Sequence, residues 1–551
     1  MMKKWMVVLL VLVGMRGMGQ VPTWEWARGG MGNGEGDLTN MVSDDSGNVY
    51  LTGVMYDTLI FGSDSLFSKS GRNNAFTVKY NSSGNVIWAK SADSLAFAEP
   101  YGIATDAFGN VYIIGEFDST NITFGSYTLT SSGKYDIFFV KYDSFGNVIW
   151  AKDIGGTQDD IGYGITTDGF GNIYITGSIL SPSVTFGNIN VNGLGGSVFI
   201  AKYNSMGNAI WVKNSATSII NSNVTCDLFG NVYLSGNIGL GFITFGNITI
   251  INPGIRDFFI AKFDSAGNVI WMKSPRGSRR ELCESITTDS HGNIFATGYF
   301  DSSPAIFDND TLTNWGGAGN RIVFVVKYDS SGNVIWAKRS TSCPSGEEGW
   351  SIVVDSTDNV YISGSIFGGS FSFDTVNLNI NNGTDPLFLL KLNSSGTPLY
   401  GFTLEGGGDD WSNVVMDHSG CLYLGGDYWG SNFVIGNDTF PYSQSEMPFI
   451  SKFCYPNIET SIPQISPQPT ISLFPNPFST TATLSIRNYE LGIRNGAVQI
   501  IDLLGQEVKS IPIINQKEIT INRDNLADGM YFYKIIGDNG ESVAVGKMVI
   551  Q

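Results

Sequence analysis

A chain of 551 residues with 68 glycines, 13% aromatic and only 15% charged residues is too aromatic for disorder. It has the composition of many short strands joined by tight turns, where glycine takes the positive φ angles. The formal net charge of −18 opposes the phosphates of nucleic acid and excludes that partner.

Lys3 and Lys4 precede an apolar run from Trp5 to Val13, and Gly17-Met18-Gly19 stands before Gln20. Charge, short apolar run and small residues make residues 1–19 a signal peptide. The run is far short of the ~20 residues that span a bilayer. No later stretch qualifies either, so no transmembrane segment is expected. Five cysteines (226, 283, 343, 421 and 454), with no C-x-x-C pair, make neither a disulfide framework nor a structural zinc site. An isolated bridge such as Cys421–Cys454 remains open.

From residue 20 to 455 the chain repeats itself. "TDAFGNVYIIG" has relatives in "SDDSGNVYLTG", "TDGFGNIYITG", "CDLFGNVYLSG", "TDSHGNIFATG", "VDSTDNVYISG" and "MDHSGCLYLGG", giving seven units with aromatics at Tyr50, Tyr112, Tyr174, Tyr233, Phe295, Tyr361 and Tyr423. A second signature follows, "DIFFVKYDSFGNVIWAK" in its clearest copy, with tryptophans at 88, 150, 211, 271 and 336 and Tyr400 in the sixth place. Each unit reads as four strands rich in β-branched and aromatic residues between Gly, Asn, Asp and Ser turns. The middle two lack alternation, as strands covered on both faces do.

"TWEWAR" at the start matches "VIWAK", whereas the last unit stops at "FISKF" without its own outer strand. An N-terminal strand that completes the last blade explains both ends, so the expected fold is all-β: a closed seven-bladed β-propeller. The repeated D-x-x-G-N-x-Y-x-x-G resembles the SBBP β-propeller repeat. That resemblance implies an exported or surface-associated protein and no shared catalytic activity.

Prolines 456, 463, 467 and 469 mark residues 456–470 as an extended linker. Residues 471–551 read as about seven further strands, a small Ig-like β-sandwich. Pro475-Asn476-Pro477, "DLLGQEV" with Gly505, "LADGMYFYKI" with Gly529 and Tyr531, and the late Lys547 are similar to the type A C-terminal sorting domain of the type IX (Por) secretion system. The resemblance implies a Gram-negative cell and type IX machinery as partner, with the cargo secreted or attached to the outer-membrane surface.

Candidate chemistry is sparse. The "DSSGN" turns lack the downstream Glu of a calcium loop, so neither a metal nor another cofactor is assigned, although calcium stays conceivable. His291 and His418, the two histidines, fall on variable turn positions, which disfavours histidine-dependent catalysis. Seven or eight residues before the turn aspartate stand Asp37, Glu99, Asp160, Glu281, Glu347 and Asp409, with Ile219 in the fourth unit. They are expected either as a broken ring of carboxylates around one mouth of the channel, or paired with the bases after each tryptophan. Trp350 and Trp411 follow two of these acids, and Tyr101 and Tyr163 hold comparable places. They are candidates for stacking on a sugar or for packing between blades.

These features favour a non-catalytic binding or adhesion module for polysaccharide or protein. A structural surface component and an extracellular glycosidase or lyase are the alternatives. Whether any catalysis exists is left open by the sequence. The departures from the repeat, among them Trp315, Trp429 and "GTPLY" for "GNVIW", lean toward units five to seven.

Overall fold

The computed structural model describes residues 23–454 and 470–550, apart from interruptions at 69–70, 95–96, 119–120, 194–195, 216–218, 342–345, 368, 381–385, 405–411, 431–432, 488–495, 503–505, 514–517 and 537–541. The expected signal peptide, nearly all of the linker, Cys343, Asp409, Trp411 and Gly505 lie outside the described residues. No helix occurs among the described residues.

Up to Cys454 the chain forms seven units of four antiparallel strands, five of them as separate sheets and the fourth and fifth joined into one eight-stranded sheet by a short parallel pairing. In the second unit, Ala98–Thr105, Val111–Asp118, Tyr135–Tyr142 and Val148–Ile154 pair in sequence order. The two middle strands are buried almost end to end, in keeping with their unbroken apolar sequence. In the seventh unit Ser443–Cys454 pairs with Leu422–Gly430 on one side and with Thr23–Gly29, from the other end of the chain, on the other.

One set of contacts recurs between most consecutive units, although the Trp150 indole N–H of unit two has no hydrogen-bond partner among the described residues. The Trp88 Nε1–H and the Lys79 ammonium both donate to the Ser144 carbonyl of the following unit, each at 3.2 Å. Gly146 of that same turn lies flat on the indole: a Cβ there would come within 2.9 Å of the ring, and its φ of +80° is already left-handed. Equivalent indole-to-serine bonds run from Trp26 to Ser82, Trp211 to Ser265, Trp271 to Ser330 and Trp336 to Ser394. The lysine also lies over the preceding tyrosine ring, as Lys79 does over Tyr50 at 5.0 Å. That tyrosine hydroxyl donates to the turn aspartate, Tyr50 to Asp44 at 2.9 Å.

The sixth unit breaks this pattern for a local reason. Its Tyr400 should meet the turn between the third and fourth strands of unit seven, but that turn does not exist, because the fourth strand comes from residues 23–29. Trp24, Phe402 and Phe453 pack together there instead, with centroids 4.9–5.7 Å apart. Beside them Cys421 and Cys454 form a disulfide, Cys421 standing where most other units have the asparagine of the turn.

Four strands per unit understates the structure. Between the second and third strands six units carry a short hairpin, such as Asn121–Phe124 with Tyr127–Thr130. In unit four it is continuous with the long strands Val232–Phe245 and Ile248–Phe263.

The tail forms a three-stranded and a four-stranded sheet. They enclose a core that includes Leu484, Val498, Ile500, Ile521 and Met548. Its first strand is Thr470–Phe474, one residue inside the expected linker.

Candidate functional site

The inner strand of each of the first six units carries one extra residue. Ile114 faces Gly102 and Gly115 faces Pro100, which leaves Tyr101 unpaired between them. The same slip isolates Thr39, Tyr163, Asn221, Glu284 and Trp350. A bulge turns a side chain out of the regular ladder and re-aims it. Here all six bulge residues line one cavity of about 430 Å³. Unit seven adds Ser412, just ahead of its strand Asn413–Met416.

Asparagines hold this wall together from one unit to the next. Asn40 Nδ2 donates to the Tyr101 carbonyl at 3.0 Å, and Asn223 Nδ2 to the Glu284 carbonyl at 2.7 Å. Asn221 Nδ2 donates to the Glu284 carboxylate at 2.8 Å. The Tyr101 and Tyr163 rings lie 5.6 Å apart at 57°. The Trp350 indole N–H is held by Ser365 Oγ at 3.0 Å.

The electrostatics are one-sided. Glu99, Glu284, Asp37, Asp427 and Glu446 contribute to the lining, and among the described residues no lysine or arginine does. Burial pushes the Glu284 carboxyl up to about 7; the Glu348 charge adds to this, while Asn221 and Arg256 oppose it. Glu116, which accepts from the Tyr101 hydroxyl at 2.9 Å, is likewise raised to about 7, mainly by burial. Burial also raises Glu99.

The expected carboxylate ring is corrected by this geometry. Asp37 and Glu99 do line the cavity, but Asp160, Glu281 and Glu347 are fully buried between neighbouring units and are absent from its wall. Asp160 accepts from the backbone N–H groups of Gly156, Leu180 and Ser181 and from the Ser181 hydroxyl, at 2.6–3.1 Å. Glu347 accepts from Val323 N–H at 3.3 Å. Glu281 lies against Asp257, and burial raises both carboxyls. These acids close loop ends at the seams. Several bases after the tryptophans are engaged elsewhere: Arg28 with Asp438, Lys273 with Asp308, and Lys152 over the Trp150 ring.

Of the aromatic candidates, Trp350, Tyr101 and Tyr163 meet at the cavity, whereas Trp315 and Trp429 are exposed and do not line it. Both histidines are exposed on turn tips. Sequence reasoning missed Glu284, Asn221 and Asn223. The available signal was position: the bulge residue stands five residues before the turn aspartate, six in unit four. Among the described residues, two further acidic groupings converge closely enough for an ion. They are Glu35, Asp37 and Glu446, and the buried Asp289 with the exposed His291 and half-buried Asp358, each with ligand atoms within 4.8 Å of one another.

In the tail, the Asn476 of the Pro-Asn-Pro motif bonds the last strand twice, Nδ2 to the Lys547 carbonyl and Oδ1 from Val549 N–H. Tyr531 donates to the Ala527 carbonyl at 3.1 Å.

Comparison with known proteins gives two family matches. The SBBP β-propeller repeat matches residues 149–182, and the secretion system C-terminal sorting domain matches residues 472–551. The chain thus carries β-propeller repeats and a type IX sorting domain, the mark of a secreted protein. It is similar to an uncharacterized WD repeat-containing protein of Acanthamoeba polyphaga mimivirus, at 25% identity over 369 residues, 54% of this chain and 26% of the relative. The chain thus spans about a quarter of that relative's length. Among solved structures, a Dyadobacter fermentans protein of unknown function aligns at 8% identity with a TM-score of 0.36, covering 78% of this chain and 99% of that one. A Synechocystis apocarotenoid oxygenase aligns at 12% identity with a TM-score of 0.37, covering 73% and 88%. No helix among the described residues is long and apolar enough to cross a membrane.

Proposed function

We propose that this chain is an exported, non-catalytic binding module whose seven units close into a β-propeller around a ligand-binding cavity. Ring closure is supported by the Thr23–Gly29 strand on the seventh unit and by the Trp26 bond to Ser82 in the first. In this reading residues 1–19 are removed on passage through the inner membrane, and residues 456–470 tether the propeller to an Ig-like sorting sandwich. The mature protein is then released or held on the outer-membrane surface.

The observation that carries the binding reading is the convergence of six bulge residues, one per unit, on a single cavity. Aromatic faces beside a few fixed polar groups are the usual make-up of a small-ligand site. Both histidines stand on exposed turns, away from these carboxylates.

Affinity electrophoresis of the full chain through gels containing neutral, acidic and amino-sugar polysaccharides tests the proposal, each polymer being assayed for cleavage. The expected result is retardation by at least one polymer without cleavage, lost in Trp350→Ala. Cleavage of any polymer overturns the non-catalytic reading. Retardation that Trp350→Ala leaves unchanged removes the cavity from it.

A further inference from the structure

Resting on that reading, we infer that the cavity takes a sugar with a free, protonated amino group, with Glu284 as its counter-ion and Tyr101, Tyr163 and Trp350 as its apolar wall. Three features of the lining lead there. First, five acidic residues and, among the described residues, no basic one line the space. A uronic acid or sulfated sugar would be repelled, and a neutral sugar would leave that field uncompensated. Second, three aromatic side chains share the wall, and their faces attract both the C–H surface of a sugar ring and a nearby ammonium.

Third, the polar groups suit hydroxyls. Ser412 is 1% exposed, and its hydroxyl has no hydrogen-bond partner among the described residues. A buried hydroxyl left unpaired costs about 1–3 kcal/mol. A hydroxyl-bearing ligand in the cavity that Ser412 lines would offset that cost. The carbonyl and carboxylate of Glu284 are fixed by Asn223 and Asn221, so the counter-ion is positioned before the ligand arrives. A volume of about 430 Å³ lies at the small end of ligand pockets and matches one or two sugar rings, such as those at the end of a polymer chain.

The test is calorimetric titration of the full chain at pH 7 with the β1,4-linked dimer of glucosamine, its N-acetylated counterpart and N-acetyl-lysine methylamide. The two dimers share a sugar backbone and differ in charge; the lysine derivative carries the ammonium without a sugar. The amino dimer is expected to bind at least tenfold more tightly than either of the others, a margin in the range of a charge-assisted contact. Glu284→Gln, which keeps shape and removes charge, is expected to erase the difference between the dimers.

Equal binding of the two dimers overturns the ammonium inference and leaves the cavity as a sugar site. Equal binding of the amino dimer and the lysine derivative overturns the sugar part. Binding of none of the three overturns the inference, and the polysaccharide gels then decide the broader reading independently.

Discussion

The indole N–H of Trp26 donates to the carbonyl oxygen of Ser82 at 3.0 Å, joining the first strand of the chain to the first complete unit across 56 residues. Trp26 belongs by pairing to the seventh unit, through Lys452 and its neighbours. The bond therefore makes the seventh-to-first seam of the same material as the seams between consecutive units. Trp26 is 6% exposed, so truncation removes a buried aromatic as well as the bond.

Trp26→Ala is accordingly expected to destabilise the protein by about 3–5 kcal/mol, the range for buried aromatic truncations. Trp315→Ala, at a side chain 74% exposed, should cost less than about 0.5 kcal/mol. Urea denaturation followed by circular dichroism compares the two. Equal, small effects would show that the N-terminal strand contributes little to the stability of the fold.

The turn glycines separate two causes of intolerance. Gly146 and Gly171 have nearly the same φ, +80° and +79°, but a Cβ at Gly146 meets the Trp88 ring at 2.9 Å whereas at Gly171 nothing lies within 4 Å. Alanine at Gly171 should cost only the left-handed backbone penalty, about 1–2 kcal/mol. Alanine at Gly146 should cost about 1–3 kcal/mol more, because the indole must shift out of a packed seam. Thermal melts of the two variants check the difference; matching costs would mean that the seam yields without resistance.

The repeat and the early strand were legible because each leaves a mark in residue identity or count, whereas the Cys421–Cys454 bridge was one open possibility among five cysteines. The cavity was not, because a bulge adds a residue without changing composition. In "ELCESITT" both Glu281 and Glu284 look like inner-strand acids. Only the slip between Cys283 and Ser285 sends Glu284 to the cavity while Glu281 stays buried at the seam. "GTPLY" misled in the opposite direction. It stands among the departures that lean toward units five to seven, yet Tyr400 departs from tryptophan where the partner turn is replaced by the chain's own two ends. The hairpins were missed because runs such as "SYTLT" are short enough to pass for loops.

Glu281 and Asp257 are both fully buried in parallel register with one another, and burial holds a proton on the pair well above the ordinary carboxylate range. The folded state thus binds a proton that the unfolded chain releases near pH 4–4.5. The pair's contribution is complete below that range and is lost as pH rises through the folded value. Between pH 5 and 8 Glu281→Gln, whose amide can donate to Asp257 as the protonated acid does, should flatten the fall in stability seen in the parent protein. The slope removed is at most about 1.4 kcal/mol per pH unit. Urea midpoints measured at several pH values decide; parallel pH profiles would show that no proton is held there.

The cavity carboxylate gives the opposite pH sign for ligand binding. Glu284 faces the Asn221 amide, and Arg256 lowers its proton affinity while the charge of Glu348, itself ion-paired with Arg321, raises it. Burial outweighs these and leaves its carboxyl at about 7. An ammonium ligand binds the ionised form, so its affinity should climb between pH 5 and 6.5, approaching tenfold per pH unit. Amino groups with a pKa of about 7.7 stay protonated through that range. Titration of the glucosamine dimer at pH 5, 5.75 and 6.5 measures the climb, and Glu284→Gln should reduce it to whatever Glu99 and Glu116, also raised by burial, supply. A flat profile in the parent protein would show that the ligand's charge is not met by Glu284.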